Sequence, residues 1–167
     1  GYTDIRTIYS NNDLLNYSRL PNHIDLIKVE LREPLKINET VELSILYSVK
    51  IPADDFTGYG ISKSKDINIR DWYLTFSTHE NGNWKTESNL DLNDLSLDPA
   101  YFKFQLKYPK SHTLISDITA NSTYEDQNTI VFVSTKELRK NSNIILTKKS
   151  NFKIYGVDGL RIYSDVE

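Results

Sequence analysis

Val41, Leu43, Ile45, Tyr47, Val49 and Ile51 recur at every second position, with Glu42, Ser44, Ser48 and Lys50 among the residues between them. Successive side chains of a pleated strand point to opposite faces, so this spacing predicts a strand with one apolar and one polar side. Leu46 interrupts the polar set and predicts partial cover over the outer face. Pro52 removes a ladder donor and ends the strand. Asp54 to Lys65 then reads as a loop in which Gly58 and Gly60 bracket Tyr59, a spacing that allows positive φ on either side of the aromatic. A strand resumes over Asp66 to Phe76, where Ile67, Ile69, Trp72, Tyr73 and Leu74 are too densely apolar for a bare face. The stretch from Tyr47 to Leu74 is therefore expected to be the centre of the fold.

Around that centre the pattern continues in short pieces. Residues 1–22 look irregular, with Ser10-Asn11-Asn12-Asp13 read as a helix cap before Leu14 and Leu15 and with Pro21 stopping whatever begins there. Asp25 to Glu33 is the first credible strand, followed by Pro34 and a polar Lys36-Ile37-Asn38-Glu39 turn. Asn81-Gly82 predicts a hairpin, because a type I′ turn needs positive φ at both central residues, and Trp84 to Ser88 would be its return strand. Asn89 to Pro99 is a loop or an irregular turn of helix. Tyr101 to Tyr108 alternates again through Phe102, Phe104, Leu106 and Tyr108 until Pro109. Shorter strands follow at Thr113–Asp117, Thr129–Thr135, Ile144–Lys148, Phe152–Tyr155 and Leu160–Ser164, at the turn spacing of a sandwich or a curved open sheet. No strong amphipathic helix appears. The expectation is an all-β, antiparallel architecture, with an irregular lead-in over 1–22 and a single β-domain over 23–167.

Composition adds bounds. A chain of 167 residues, 38% hydrophobic and 26% charged, can build a core without a staple. A net charge of −3 argues against a nucleic-acid surface, which draws on clustered cations, and the Lys148-Lys149 pair reads as a solvated strand end. Zero Cys removes disulfides, a thiolate nucleophile and Cys-ligated zinc, and leaves the compartment open, with an exported or periplasmic setting favoured over the cytoplasm. With no Met anywhere, Gly1 is expected to head an excised or processed piece. No apolar run approaches the roughly 18 residues of a membrane span.

Candidate chemistry is sparse. His79-Glu80 begins like a zinc-protease motif, but His-Glu-x-x-His needs a second His where this chain has Asn83, and the segment crosses a predicted hairpin. His23 and His112 follow turn-like stretches and are expected to be solvated loop residues. No Gly-x-Ser-x-Gly elbow marks a nucleophile. Asp91, Asp94 and Asp98 lack the ligand order of a calcium loop. Gly58 and Gly60 lack the third Gly and the Lys-Ser/Thr of a phosphate loop. Asn16-Tyr17-Ser18, Asn38-Glu39-Thr40 and Asn121-Ser122-Thr123 fit the glycosylation sequon, as an Asn-rich chain does by chance. The reading is no catalytic residue and no metal site. The aromatic set Tyr59, Trp72, Tyr73 and Trp84 serves either as core or as an interface or sugar-stacking platform.

Several runs carry a resemblance. Leu46-Tyr47-x-x-Lys50-Ile51-Pro52 leading to Phe56-Thr57-Gly58-Tyr59-Gly60, then Trp72-Tyr73-Leu74 and Asn81-Gly82-x-Trp84, resembles the N-terminal domain of M1-family (gluzincin) zinc aminopeptidases in a Bacteroidetes-type variant. Phe102-Lys103-Phe104-Gln105-Leu106-Lys107-Tyr108-Pro109, Leu114-Ile115-Ser116-Asp117 and Asn128-Thr129-Ile130-Val131-Phe132 look like later segments of that domain, and the similarity covers about Leu26 to Val166. The resemblance implies a saddle-shaped antiparallel β-domain packed on a thermolysin-like catalytic domain that would begin after Glu167 and carry the zinc. It implies a non-catalytic accessory role, shaping the cleft that receives a peptide substrate, with Phe56, Tyr59, Trp72 and Tyr73 as a domain-docking or substrate-facing surface. The wider family also supplies a Gln from a Thr-Gln-x-Glu segment; Thr75-Phe76-Ser77-Thr78-His79-Glu80 has none, and the Pro-x-x-Asp-Glu-Pro segment is missing, so that role falls on no residue here. The alternative is a self-standing β-sandwich module that binds glycan or protein through Tyr59, Trp72 or Trp84. A purely structural surface repeat has no internal repeat behind it.

Overall fold

The structure, a computed structural model, describes residues 1–70, 72–86, 97–148, 153–157 and 160–164. Its regular elements among these are all strands, paired antiparallel, and no sheet closes into a barrel. In chain order they are β1 (Tyr2–Ser10), β2 (Asp13–Leu14), β3 (Asn16–Leu20), β4 (His23–Glu30) and β5 (Ser44–Lys50). Then come β6 (Gly60–Ile61), β7 (Ile67–Arg70), β8 (His79–Glu80), β9 (Asn83–Trp84), β10 (Ala100–Phe102), β11 (Gln105–Pro109) and β12 (Thr113–Ser116). The last are β13 (Ala120–Asp126), β14 (Thr129–Ser134), β15 (Glu137–Arg139), β16 (Asn143–Thr147), β17 (Lys153–Val157) and β18 (Leu160–Ser164). The chain gathers into two compact units, Gly1–Ile51 with Tyr73–Asp98, and Pro52–Trp72 with Pro99–Glu167, where one continuous β-domain was expected.

In the first unit the sheets run β2-β1-β5, β3-β4 and β8-β9. The expected irregular lead-in over 1–22 is instead β1, β2 and β3, and the reason is a bulge. Ile5 pairs with Tyr47 but Thr7 pairs with Leu46, so Arg6 is an extra residue on β1. The insertion reverses the alternation and brings Ile5 and Ile8, three positions apart, to the face of Ile45 and Tyr47. A period-two reading cannot see such a strand. The Tyr17 hydroxyl of β3 donates to the Ile5 carbonyl at the bulge, at 2.8 Å. Ile5, Ile8 and Leu15 form the buried core, lined by Ile27, Val29, Leu31, Leu43, Ile45, Tyr47 and Leu74. Leu46 sits opposite Thr7 on the outer face and is 57% exposed, so the cover expected there is absent.

Turn chemistry explains the other early strands. Ser10-Asn11-Asn12-Asp13 is not a helix cap: Asn11 and Asn12 take φ of 48° and 69° in a two-residue hairpin turn, a conformation that Asn tolerates better than most residues. Pro21-Asn22 joins β3 to β4, with Asn22 at φ 63°, as a turn with Pro first and a left-handed residue second requires. Asn81-Gly82 forms the expected hairpin at φ 51° and 80°.

In the second unit the sheets run β12-β16-β7-β6, β11-β14-β13, β10-β15 and β17-β18. Tyr108, Ile118, Val131, Phe132 and Ile144 are its buried apolar residues. The single strand expected over Tyr101–Tyr108 is divided into β10 and β11, which pair with different partners. A polar network closes this unit. Asp117 accepts from the buried Ser142 hydroxyl and the Asn143 amide through Oδ1, and its Oδ2 meets Arg139 at 3.0 Å. Arg139 also pairs with Glu137, whose other carboxylate oxygen accepts from the Thr135 hydroxyl and the Thr119 amide. The Thr135 hydroxyl first, then the Thr119 amide and, after it, Arg139 hold the Glu137 carboxyl down from 4.5 to about 2. Residues Glu87 and Ser88 of the expected return strand, most of the Asn89–Pro99 loop with Asp91 and Asp94, Lys149 and Phe152 lie outside the described residues.

Two outcomes follow from this packing. Ile8→Ala should lower unfolding free energy by about 3 kcal/mol in urea titrations, whereas Leu46→Ala on the open face should cost under about 1 kcal/mol. A carboxylate with a depressed folded pKa stabilises above its unfolded value and loses that contribution as pH falls through the folded one. Stability should therefore decline between pH 4.5 and about 2, and Glu137→Gln should flatten that decline in pH-resolved thermal melts.

Candidate functional site

The loop from Pro52 to Asp66 is built by backbone economy around two glycines. The Ile61 amide donates to the Pro52 carbonyl at 2.8 Å and the Asp54 amide to the Ile61 carbonyl at 3.3 Å, with a parallel bridge between Ala53 and Ile61. Gly58 closes a helical turn onto Asp54, and Thr57 Oγ1 both receives the Tyr59 amide and donates to its carbonyl at 3.2 Å. Gly60, at φ 138°, lies where a Cβ would come within 2.4 Å of the Pro52 carbonyl oxygen, so the crossing of the two backbones requires glycine. Gly58, at φ 71°, faces open space and is needed only for its conformation.

The base of the loop is fastened to the four-stranded sheet by side chains. Asp66 accepts from the Thr147 hydroxyl at 2.7 Å and the Lys148 amide at 3.2 Å through Oδ1, and from the Ser64 hydroxyl at 2.6 Å through Oδ2. Its own amide donates to Ser62 Oγ. From β7, the Asn68 side-chain amide donates to the Gly58 carbonyl at 3.0 Å. The Arg70 guanidinium lies 5.9 Å from the centre of the Tyr59 ring and points one N–H at its hydroxyl, at 3.4 Å. The residues that brace the loop were not singled out in sequence; the Ser62-x-Ser64-x-Asp66 spacing is the signal that could have found them.

The four aromatic candidates separate. Phe56 and Tyr59 share the loop: Phe56 is 100% exposed and Tyr59 is half-buried under Arg70. Trp72 is half-buried and its ring meets Phe104 at 5.8 Å and 38°, with Phe104 in turn 5.8 Å from Phe102. Tyr73 is half-buried and belongs to the other compact unit. Trp84, 59% exposed on β9, receives the edge of His79 from β8 at 4.8 Å.

The histidines take their places from the same elements. His79 is on a hairpin, where helical spacing has no meaning. His23 opens β4 half-buried, its Nδ1 buried without a hydrogen-bond partner, which differs from the solvated loop residue expected. His112 Nδ1 lies 3.0 Å from the Ser111 hydroxyl. Among the described residues no three His, Asp or Glu side chains converge as a metal site, and no helix is long and apolar enough to cross a membrane. No protein-family model, curated protein or solved structure matches the chain.

The two glycines separate shape from space. Gly60→Ala should destabilise the protein by about 3 kcal/mol or more, because the added carbon meets backbone, while Gly58→Ala should cost only about 1 kcal/mol of conformational strain. Urea midpoints of the two variants give the comparison; equal losses would remove the argument for a backbone crossing at Gly60.

Proposed function

We propose that this chain is a non-catalytic accessory domain, N-terminal to the catalytic domain of an M1-family zinc aminopeptidase, which it contacts and whose substrate cleft it shapes. The observation that carries the reading is Phe56. A loop fixed by two backbone hydrogen bonds at one crossing and by Asp66, Asn68 and Arg70 spends that order on holding a fully exposed phenyl ring in water. A large apolar ring held out from an ordered loop is the kind of anchor that a covering surface buries. The Phe56–Gly60 run is also among the segments that resemble the M1 N-terminal domain. In this reading zinc and the hydrolytic step belong to the partner domain, and this chain contributes contact and exclusion.

A second reading rests on Trp84. Its exposed ring, steadied by the His79 edge at 4.8 Å, is the arrangement a glycan or protein module uses as an anchor.

The test compares this chain with the polypeptide that joins it to the catalytic domain. After dialysis the chain alone should hold no stoichiometric zinc and hydrolyse no aminoacyl nitroanilide. In the joined polypeptide, Phe56→Ser should lower kcat/KM by about tenfold, while the same change alters the stability of this chain by less than about 0.5 kcal/mol. One zinc bound tightly by the chain alone would overturn the reading. A saturable tryptophan-fluorescence response to a glycan panel, abolished by Trp84→Ala, would transfer the conclusion to the binding module.

A further inference from the structure

The β10–β15 ribbon presents a face that the reading above does not use. Tyr101 pairs with Leu138 across the ribbon, and both side chains point to solvent, 67% and 58% exposed. Lys103 directly follows β10, Lys136 directly precedes β15 and Lys140 directly follows it, and all three are exposed. The ammonium of Lys136 lies 4.9 Å from the centre of the Tyr101 ring. None of the three lysines has an ion pair among the described residues. The one acid of the ribbon, Glu137, is engaged by Thr119, Thr135 and Arg139.

The register makes this arrangement costly for the chain alone. Phe102 pairs with Glu137, but the Ser134 amide bonds to the Phe104 carbonyl, so Lys103 stands against two residues, Thr135 and Lys136. Lys103 and Lys136 therefore fall beside each other where the ladder is interrupted, and like charges set close in a ladder destabilise it. Lys140 follows the last residue of β15, on the other side of Leu138 in the chain. The result is an apolar pair bracketed by cations at both ends, on a chain whose net charge is −3. Local conflicts of this kind are kept where a ligand resolves them.

We propose that this face docks an acidic protein segment: a large apolar side chain seats on Tyr101 and Leu138, and carboxylates flanking it meet Lys140 at one end and Lys103 with Lys136 at the other. Charge complementarity selects an acidic partner, and the exposed Leu138 selects one with an apolar centre. A polyphosphate strand fits less well, because three cations on an anionic chain release few counterions and Leu138 has no base edge to read.

The test titrates the intact chain into a fluorescein-labelled peptide, Glu-Asp-Glu-Leu-Phe-Glu-Asp-Glu, by anisotropy, with an all-acidic peptide and a single-stranded oligonucleotide as comparators. The mixed peptide should bind saturably, weaken with salt, and bind more tightly than either comparator. Affinity should fall about tenfold in Lys103→Glu with Lys140→Glu, and about as much in Tyr101→Ser with Leu138→Ser, and should be unchanged in Lys63→Glu on the Pro52–Asp66 loop. Amide shifts of the unmodified chain should move along β10 and β15. Absence of binding, indifference to either pair of substitutions, shifts confined to other elements, or displacement of the peptide by the oligonucleotide would each overturn the proposal. Because the readout is peptide binding and needs no peptidase, the accessory-domain reading can fail while this one stands.

Discussion

One inserted residue on β1, against a shorter stretch of β5, decides which side chains the first unit buries. Arg6 on β1 brings Ile5 and Ile8 to a common face, and without it the core of the first unit would lose one of its two β1 isoleucines to solvent. Asn121 is likewise an extra residue on β13, where Ala120 pairs with Ser134 but Ser122 pairs with Val133, although Ala120 to Glu125 all stay exposed. Between β14 and β15 an extra residue sets Lys103 against both Thr135 and Lys136. Because side-chain direction in a strand has a period of two, a single insertion exchanges inside and outside for everything beyond it. The energetic weight behind the β1 bulge is the apolar area it delivers to the core, which outweighs the ladder bond it interrupts.

Polar side chains then hold what the ladders leave open. Asp66 fastens the Pro52–Asp66 loop to the end of β16, and Asp117 gathers Ser142, Asn143 and Arg139. Both carboxylates accept backbone amides as well as hydroxyls, a charge-assisted pattern stronger than a neutral hydrogen bond. By contrast, Lys107–Asp126 and Lys110–Glu125 at the β13 edge are exposed pairs. Pairs of that kind contribute little to stability but charge an edge that would otherwise invite another strand.

The placement of aromatics is the point at which fold bears on function. Phe56 projects from an ordered loop, Trp84 from a hairpin and Tyr101 from a ribbon, whereas Trp72 is taken up by Phe104. An aromatic ring supplies a large contact area with few rotatable bonds, which is what interface anchors use, and Phe56, Trp84 and Tyr101 are each exposed on their own element.

By itself the sequence determined the class of structure and its most regular parts. Alternation from Val41 to Ile51 marked β5, Asn81-Gly82 marked the β8–β9 hairpin, alternation over Tyr101 to Tyr108 marked strand but not its division into β10 and β11, and Pro52 and Pro109 marked strand ends. These are legible because they rest on local rules: side-chain period, positive φ and the missing proline donor. Tertiary structure alone decided that residues 1–22 are strands, that Leu46 faces water and that Gly60 crosses Pro52. It also decided that Tyr101 and Leu138 sit side by side among lysines. Each depends on a partner strand distant in the chain, and an inserted residue leaves no mark in composition or period until that partner is in place.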